Sequence, residues 1–221
     1  MYKFFFKRAI DFTLSLIALI ILTPILLPII IILLITGENY VFYFQERIGY
    51  KNSKFRIIKF ATMLKNSPNF GTKLHTTITD PRVLPFGKFL RSTKINELPQ
   101  LFNILIGDMS IVGPRPLVDK TFEPYSKNIK DSIYNINPGL SGIGSIIFRN
   151  EEELMSNTQM NLDDYYREKI APIKGELELW YQKNISFITD IKIILITIWI
   201  VFFPKSNIIN LFFKNLPKNK I

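Results

Sequence analysis

The sequence predicts an α/β (α+β) protein: a small, irregular globular domain carried on an N-terminal membrane helix-break-helix that re-enters the same leaflet, with interfacial amphipathic helices beyond it. Three observations lead there. From Phe12 to Thr36 the chain runs 25 residues without a charge, long enough on length alone to reach across a bilayer core of ~30 Å. After Gly37 the pattern changes to short mixed segments. Near the end an apolar stretch of 11 residues, Ile193 to Phe203, lies between lysines. These changes divide the chain into 1–36, a membrane hairpin; 37–184, a cytoplasmic globular domain; and 185–221, an interfacial helix and tail. The 28 basic against 18 acidic residues give a net charge of +10, yet the mean hydropathy is +0.17, so the apolar residues are concentrated rather than spread. With no cysteine and a single histidine, His75, the chain has no disulfide framework, thiolate metal site, cysteine nucleophile or multi-histidine centre. Chemistry must rest on carboxylates, lysines and arginines.

In the first segment Pro24 follows Thr23 at the middle of the apolar run and Pro28 lies one turn later. Each proline removes an amide donor and crowds the carbonyl four residues back, which predicts a break at Thr23-Pro24. Halves of roughly 12 residues rise about 18 Å each and cannot cross alone. Lys3, Lys7 and Arg8 before the run, and Arg47, Lys51, Lys54, Arg56 and Lys59 after it, place both ends on the cytoplasmic side. A kinked transmembrane anchor is the alternative.

In the second segment Tyr40 to Ile48 and Lys54 to Phe60 read as strands joined by a hairpin loop over residues 49–53, and Leu64 to Pro85 as a loop. Glu97 to Leu105 reads as a short helix, with Asn96 as its N-cap, Pro99 in its first turn and Gly107 as its stop. Leu98, Leu101, Phe102 and Leu105 would form its buried stripe. Gly113-Pro114-Arg115-Pro116 is a rigid turn; Asn137-Pro138-Gly139 with Gly142 and Gly144 reads as a flexible loop; Glu176 to Lys192 reads as an amphipathic helix. Ile193 to Phe203 is too short to span and, with Trp199, Phe202, Lys192, Lys205 and Lys214, reads as an in-plane interfacial helix, the Phe212-Phe213 tail joining it at the headgroups. A core helix is the alternative.

Arg47, Lys59, Arg82, Lys88, Arg91, Lys94 and Arg115 make the chain's middle basic, which suits nucleic acid, anionic lipid or a phosphorylated substrate. The membrane segment decides against nucleic acid. Arginine grips phosphate in a bidentate fashion, and Arg91 and Arg115 flank the expected helix N-terminus, where free amides favour an anion. Glu97 is the carboxylate nearest that terminus; compensation of the helix dipole is its alternative role.

Three runs of residues carry a resemblance: Lys59-Phe60-Ala61-Thr62-Met63; Phe86-Gly87-Lys88-Phe89-Leu90-Arg91-Ser92-Thr93-Lys94-Ile95-Asn96-Glu97-Leu98-Pro99-Gln100-Leu101; and Gly107-Asp108-Met109-Ser110-Ile111-Val112-Gly113-Pro114-Arg115-Pro116. Together with Lys7 to Phe12, Thr23-Pro24 and Lys183 to Phe187, they are similar to the bacterial sugar transferases, monotopic phosphoglycosyl transferases acting on polyprenyl phosphate. The resemblance implies transfer of a sugar 1-phosphate from a nucleotide diphosphate sugar, usually a UDP-sugar, to a polyprenyl phosphate at the cytoplasmic face of the bacterial inner membrane, as the first step of a surface glycan. It implies Mg²⁺ held with the help of Glu97, phosphate contacts from Lys59, Arg91 and Arg115, and a re-entrant break at Thr23-Pro24. Membrane lipid is then a partner, and a homodimer is compatible with the reading.

In that family an Asp attacks the β-phosphate beside the Glu. Here its position holds Asn96, and a neutral carboxamide cannot form an acyl phosphate. Three routes stay open: attack by Glu97, direct attack by the acceptor phosphate, or loss of catalysis with the chain acting as a binding partner in glycan assembly. The loop from Pro138 to Arg149 also departs from the family pattern, so that Arg149 would keep the basic contact while the donor, or even the phosphorylated group moved, differs. Glu151-Glu152-Glu153 reads as added, solvated sequence.

Overall fold

The computed structural model describes residues 2–67, 80–204, 206, 208–213 and 215–217. His75 and the middle of the Leu64 to Pro85 segment lie outside the described residues, as do Lys205 and Lys214.

A π-helical turn, Tyr2–Phe6, leads into helix α1, Lys7–Ile35, which runs uninterrupted for 29 residues with Pro24 and Pro28 inside it. The chain stays helical through Thr23-Pro24, so Lys7–Ile35 is one helix in place of the expected helix-break-helix. Packing on both sides of the prolines overrides their local cost of about 3 kcal/mol each. Lys7, Asp11, Ser15, Leu19, Leu26, Ile29 and Leu33, spaced at helical intervals, are buried along one stripe. The Thr23 hydroxyl also donates to the Leu19 carbonyl at 2.7 Å, beside the Ile20 carbonyl that Pro24 leaves without its amide. Both ends of α1 touch the same globular body. At its start Arg8 donates to the carbonyls of Ile104 and Leu105, and Asp11 accepts from the Ser110 hydroxyl and the Ile111 amide; at its end Leu84 packs on Gly37. The opposite face, with Ile17, Ile20, Ile21, Ile25, Leu27, Ile31 and Leu34, is exposed, an apolar surface suited to lipid.

Strands β1, Phe42–Ile48, and β2, Lys54–Phe60, form the expected antiparallel hairpin, with Tyr43 opposite Lys59 and Arg47 opposite Phe55. Its loop places Lys51 and Asn52 in the left-handed region. Helix α2, Pro85–Ser92, and helix α3, Gln100–Ile106, follow. Strand β3, Ser110–Val112, leads through helices α4, Asp119–Phe122, and α5, Lys127–Ile133, to strand β4, Gly139–Ser141, which pairs with β3 in parallel. The segment read as a flexible loop around Gly139 is therefore a strand. Glycine serves close approach there: a Cβ on Gly139 would lie 2.1 Å from the Gly113 nitrogen.

Helices α6, Ile143–Ile147, α7, Glu151–Asn157, and α8, Leu162–Tyr165, precede α9, Ala171–Lys183, and α10, Phe187–Phe202. The single helix expected over 176–192 is split, because Asn184 ends α9 and the Ser186 hydroxyl caps α10 by accepting the Thr189 amide at 3.1 Å. The inner face of α10, through Ile193 and Ile196, enters the core, while Leu195, Ile198, Trp199, Val201 and Phe202 face outward. It joins both readings of that stretch, core on one face and apolar surface on the other. Phe213, just after the short helix α11, Ile209–Phe212, is buried edge-on against Trp180 rather than lying at the headgroups.

One polar knot fastens α1 to this body. The Asp190 carboxylate on α10 accepts from Lys7 Nζ at 2.6 Å, from the Tyr2 hydroxyl at 2.7 Å and from the Tyr181 hydroxyl at 2.6 Å.

Candidate active site

The site is built around the turn between α2 and α3. Lys94 takes a left-handed conformation and Ile95–Glu97 closes a 3₁₀ turn, so α3 begins only at Gln100, after Pro99. Asn96 is therefore not an N-cap, and Glu97 lies in that turn rather than in the first turn of α3. The inward stripe of α3 is also rotated from the expected one: Gln100, Leu101, Asn103 and Ile104 are buried, whereas Phe102 is exposed. Asn103 accounts for the rotation. Its Oδ1 accepts the Ile58 amide at 2.9 Å and its Nδ2 donates to the Arg56 carbonyl at 2.8 Å, pinning α3 to β2 beside Lys59. Gly107 ends the helix at φ 101°, as expected.

Between the hairpin, this turn, the Gly113 to Pro116 turn and helices α7 and α9 lies a cavity of about 920 Å³. Its walls include Tyr43, Gln45 and Arg47 from β1, Lys59 from β2, Arg91, Lys94, Asn96, Glu97, Arg115, Glu151, Glu152, Tyr166 and Lys174. Among the described residues, nine basic side chains and four acidic ones line it, a surplus of cation that fits a polyanion. Lys59, Arg91, Arg115, Asn96 and Glu97 thus come together as expected.

Glu97 is the hub. Its Oε1 accepts from Lys59 Nζ at 3.1 Å and from Arg115 Nη2 at 3.2 Å. Burial would raise its carboxyl pKa, but the charges of Lys59, Arg115 and Lys94 outweigh burial and hold it well below the usual carboxylate range. Glu97 in turn raises the Arg115 guanidinium. Burial, only partly offset by Glu97 and reinforced by Arg115 and Arg47, brings the Lys59 ammonium down to about 8. Arg47 is lowered to about 10 by burial and by Arg115; it donates to the Pro116 carbonyl at 3.1 Å and to Gln45 Oε1 at 2.5 Å, fixing the turn that carries Arg115.

A pH dependence results. Lys59 is a cation below about pH 8 and loses its charge as pH rises through that value, so the affinity of the cavity for a diphosphate anion should fall above pH 8. Titrations of UDP binding from pH 7 to 9.5 should show the inflection, and Lys59→Arg should flatten it; a flat wild-type profile would remove Lys59 from phosphate binding.

Two of the three glutamates of the acidic stretch are paired rather than simply solvated, while Glu153 is exposed. Glu151 pairs with Lys174 at 2.6 Å and Glu152 pairs with Arg91, both pairs on the cavity wall. Arg149, expected to contact phosphate, points elsewhere. It donates to the carbonyls of Pro204 at 2.9 Å and Ser206 at 3.1 Å and ties down the C-terminal segment. Arg82 lies buried in a bidentate pair with Asp80. Lys174 and Tyr166 were not legible as site residues, since each sits in helical sequence of ordinary composition. Behind Arg115, burial raises the Glu178 carboxyl to about 8 against the opposing Arg115 amide.

A cation-lined cavity centred on one shared carboxylate sits on a body whose long helix turns an apolar face outward, an arrangement suited to an anionic ligand beside an apolar surface. The chain belongs to the bacterial sugar transferase family, whose model matches residues 2–204. It is 32% identical over 196 residues to a UDP-N-acetylgalactosamine-undecaprenyl-phosphate N-acetylgalactosaminephosphotransferase of Aeromonas hydrophila, covering 88% of this chain and 43% of that protein. It is 33% identical over 204 residues to a UDP-glucose:undecaprenyl-phosphate glucose-1-phosphate transferase of Klebsiella pneumoniae, covering 91% and 41%. An exopolysaccharide production protein of Sinorhizobium fredii is 34% identical over 174 residues, covering 72% and 76%. The chain spans about two-fifths of the length of most of the curated relatives it matches.

Proposed function

We propose that this chain moves a sugar 1-phosphate from a nucleotide diphosphate sugar, a UDP-sugar by analogy with the named relatives, to undecaprenyl phosphate or a similar polyprenyl phosphate, at the cytoplasmic face of the bacterial inner membrane, initiating a surface glycan. The observation that carries the reading is Glu97 seated between Lys59 and Arg115 in a cavity with surplus cations, next to an outward apolar helix that keeps the acceptor lipid at hand.

The residues bear on the route. Lys59 and Arg115 both occupy Glu97 Oε1, which favours Glu97 as the group that organises the site over Glu97 as the attacking group. Asn96 supplies no charge. The route we favour is direct attack: an acceptor phosphate oxygen bonds to the β-phosphorus of the donor, the bond from that phosphorus to the bridging oxygen breaks, and the nucleoside monophosphate leaves with the electron pair. Lys59, Arg115 and Arg91 sit where charge on phosphoryl oxygens would be stabilised.

Mg²⁺ fits this donor set. Asn96 Oδ1 is buried without a hydrogen-bond partner among the described residues, and Lys59 and Arg115 both engage Glu97 through Oε1, so a carboxamide oxygen and Glu97 Oε2 offer hard oxygen ligands that substrate phosphates would complete. When bound, the ion would neutralise charge on the diphosphate.

The test is nucleoside monophosphate release by the full chain in detergent with Mg²⁺, over a panel of nucleotide sugars, with and without undecaprenyl phosphate. Release that requires the lipid phosphate is expected. Asn96→Asp, which restores a carboxylate, should release the monophosphate from donor alone and add one sugar phosphate to the protein's mass. Release by the Asn96→Asp variant but not by the wild type would favour the second reading, which Asn96 itself motivates, of a silent member that binds without turnover. No release from either form would sink the transferase reading.

A further inference from the structure

A second cavity, of about 220 Å³, adjoins the first and is of opposite character. It lies between the C-terminal turn of α1 and the start of α2, lined chiefly by Leu33, Leu84, Pro85 and Phe86, and it shares Tyr40, Ala61 and Met63 with the cationic cavity as a common wall. Among the described residues its one carboxylate is Glu38, which is occupied by the Lys65 amide. The close seating of α2 on the exit of β2 fixes its depth, because a Cβ on Gly87 would fall 2.2 Å from the Thr62 carbonyl oxygen. On its outer side the last turns of α1 present Ile31, Leu34 and Ile35 to the exterior. The groove therefore lies between the exposed end of α1 and the cavity that holds Lys59, Glu97 and Arg115, with three lining residues common to both.

We infer that this groove receives the first isoprenoid units of the lipid phosphate acceptor, those adjoining its phosphate. The inference rests on the transferase reading for the identity of the acceptor. The chemistry requires such a place. A phosphate drawn in among cations carries its hydrocarbon chain with it, and that chain is stable only where apolar surface continues from the phosphate site to lipid. The groove offers apolar surface adjoining the phosphate cavity on the side of α1, so that a lipid phosphate entering there would leave the rest of the cavity to the nucleotide. That arrangement suits a direct transfer, in which both must be present at once.

The probe is farnesyl phosphate bearing a diazirine on its first isoprene unit, photolysed with the full chain in lipid nanodiscs and mapped by peptide mass spectrometry. Adducts at Leu33, Met63, and residues 84–86, suppressed by excess unlabelled farnesyl phosphate but not by farnesol, are expected. Adducts confined to the outer faces of α1 and α10 would overturn the inference. Leu84→Trp, which fills the groove from its apolar side, should raise KM for the lipid phosphate by about tenfold or more while leaving UDP binding unchanged; an unchanged KM in a variant that still binds UDP counts against the groove. The two readings fail separately. Groove labelling without turnover leaves the groove standing and removes the transferase, and turnover with labelling elsewhere does the reverse.

Discussion

Replacing Glu97 by glutamine is expected to lower kcat about 10³-fold while KM for the nucleotide sugar stays within about threefold of wild type. The substitution preserves volume and removes one charge. Its effect is governed by Lys59 and Arg115, which meet at Glu97 Oε1 and, without it, face each other and Arg47 in a buried space. Lys59 relieves that repulsion by giving up its proton, since Glu97 is the main influence keeping its pKa as high as about 8. The site thus loses an anion and then a cation, which leaves its net attraction for a diphosphate little altered but removes the aimed charge on which the chemical step depends. A glutamine variant with near wild-type kcat would show that Glu97 only shapes the cavity. Stability responds in the opposite pH range. The depressed carboxyl contributes stability in full above the unfolded value of about 4.3 and loses it as pH falls toward the folded value, so acid unfolding of the glutamine variant should be less steep.

Much of this site was legible because its residues come in short runs. Lys59 lies next to the end of a strand, Arg91 to Glu97 is a single stretch, Arg115 sits within a rigid turn, and the hairpin and the Gly107 stop obey local rules. Contacts between distant segments were not legible. Glu152 reaches Arg91 across 61 positions and Glu151 reaches Lys174 across 23, and nothing in three consecutive glutamates says that two of them will meet cations on a cavity wall. Arg149 failed for the reverse reason: a free-looking arginine found backbone carbonyls of the C-terminal segment. The continuous α1 shows tertiary packing overruling a local rule, since proline's cost is fixed by sequence while the stripe that outweighs it exists only once the body is folded. Asn103 belongs to the same class. An asparagine in an apolar run reads as an exposed residue, but two backbone groups of β2 await it, and satisfying them rotates the helix.

Replacing Asp190 by alanine should destabilise the protein by about 3–5 kcal/mol, because breaking a buried pair strands the other charge. Lys7 and Asp190 are 8% and 5% exposed at their side chains, and the same carboxylate is the acceptor for the hydroxyls of Tyr2 and Tyr181. Lys7 and Tyr2 would lose this acceptor together, and Tyr181 would keep only the Val112 carbonyl at 3.3 Å. Set against a typical total of about 5–15 kcal/mol, this leaves α1 poorly attached, and limited proteolysis of the full chain in detergent should cut near its start before the rest of the body. A double-mutant cycle separates the charge from the packing. Lys7→Met in the Asp190→Ala background removes the stranded ammonium and should recover the charge part of the loss, whereas Lys7→Met alone leaves a carboxylate held by the two tyrosine hydroxyls and should cost less than Asp190→Ala. Asp190→Asn, which keeps the acceptor oxygen, should fall between. If the single substitutions each cost under about 1 kcal/mol, the pair is open to water in a way its burial denies. Since Asp190 lies on α10 and Lys7 on α1, a measured coupling would also show that the two outward apolar faces are held as one surface, so that loss of the pair should weaken liposome binding of the folded protein even where UDP binding persists.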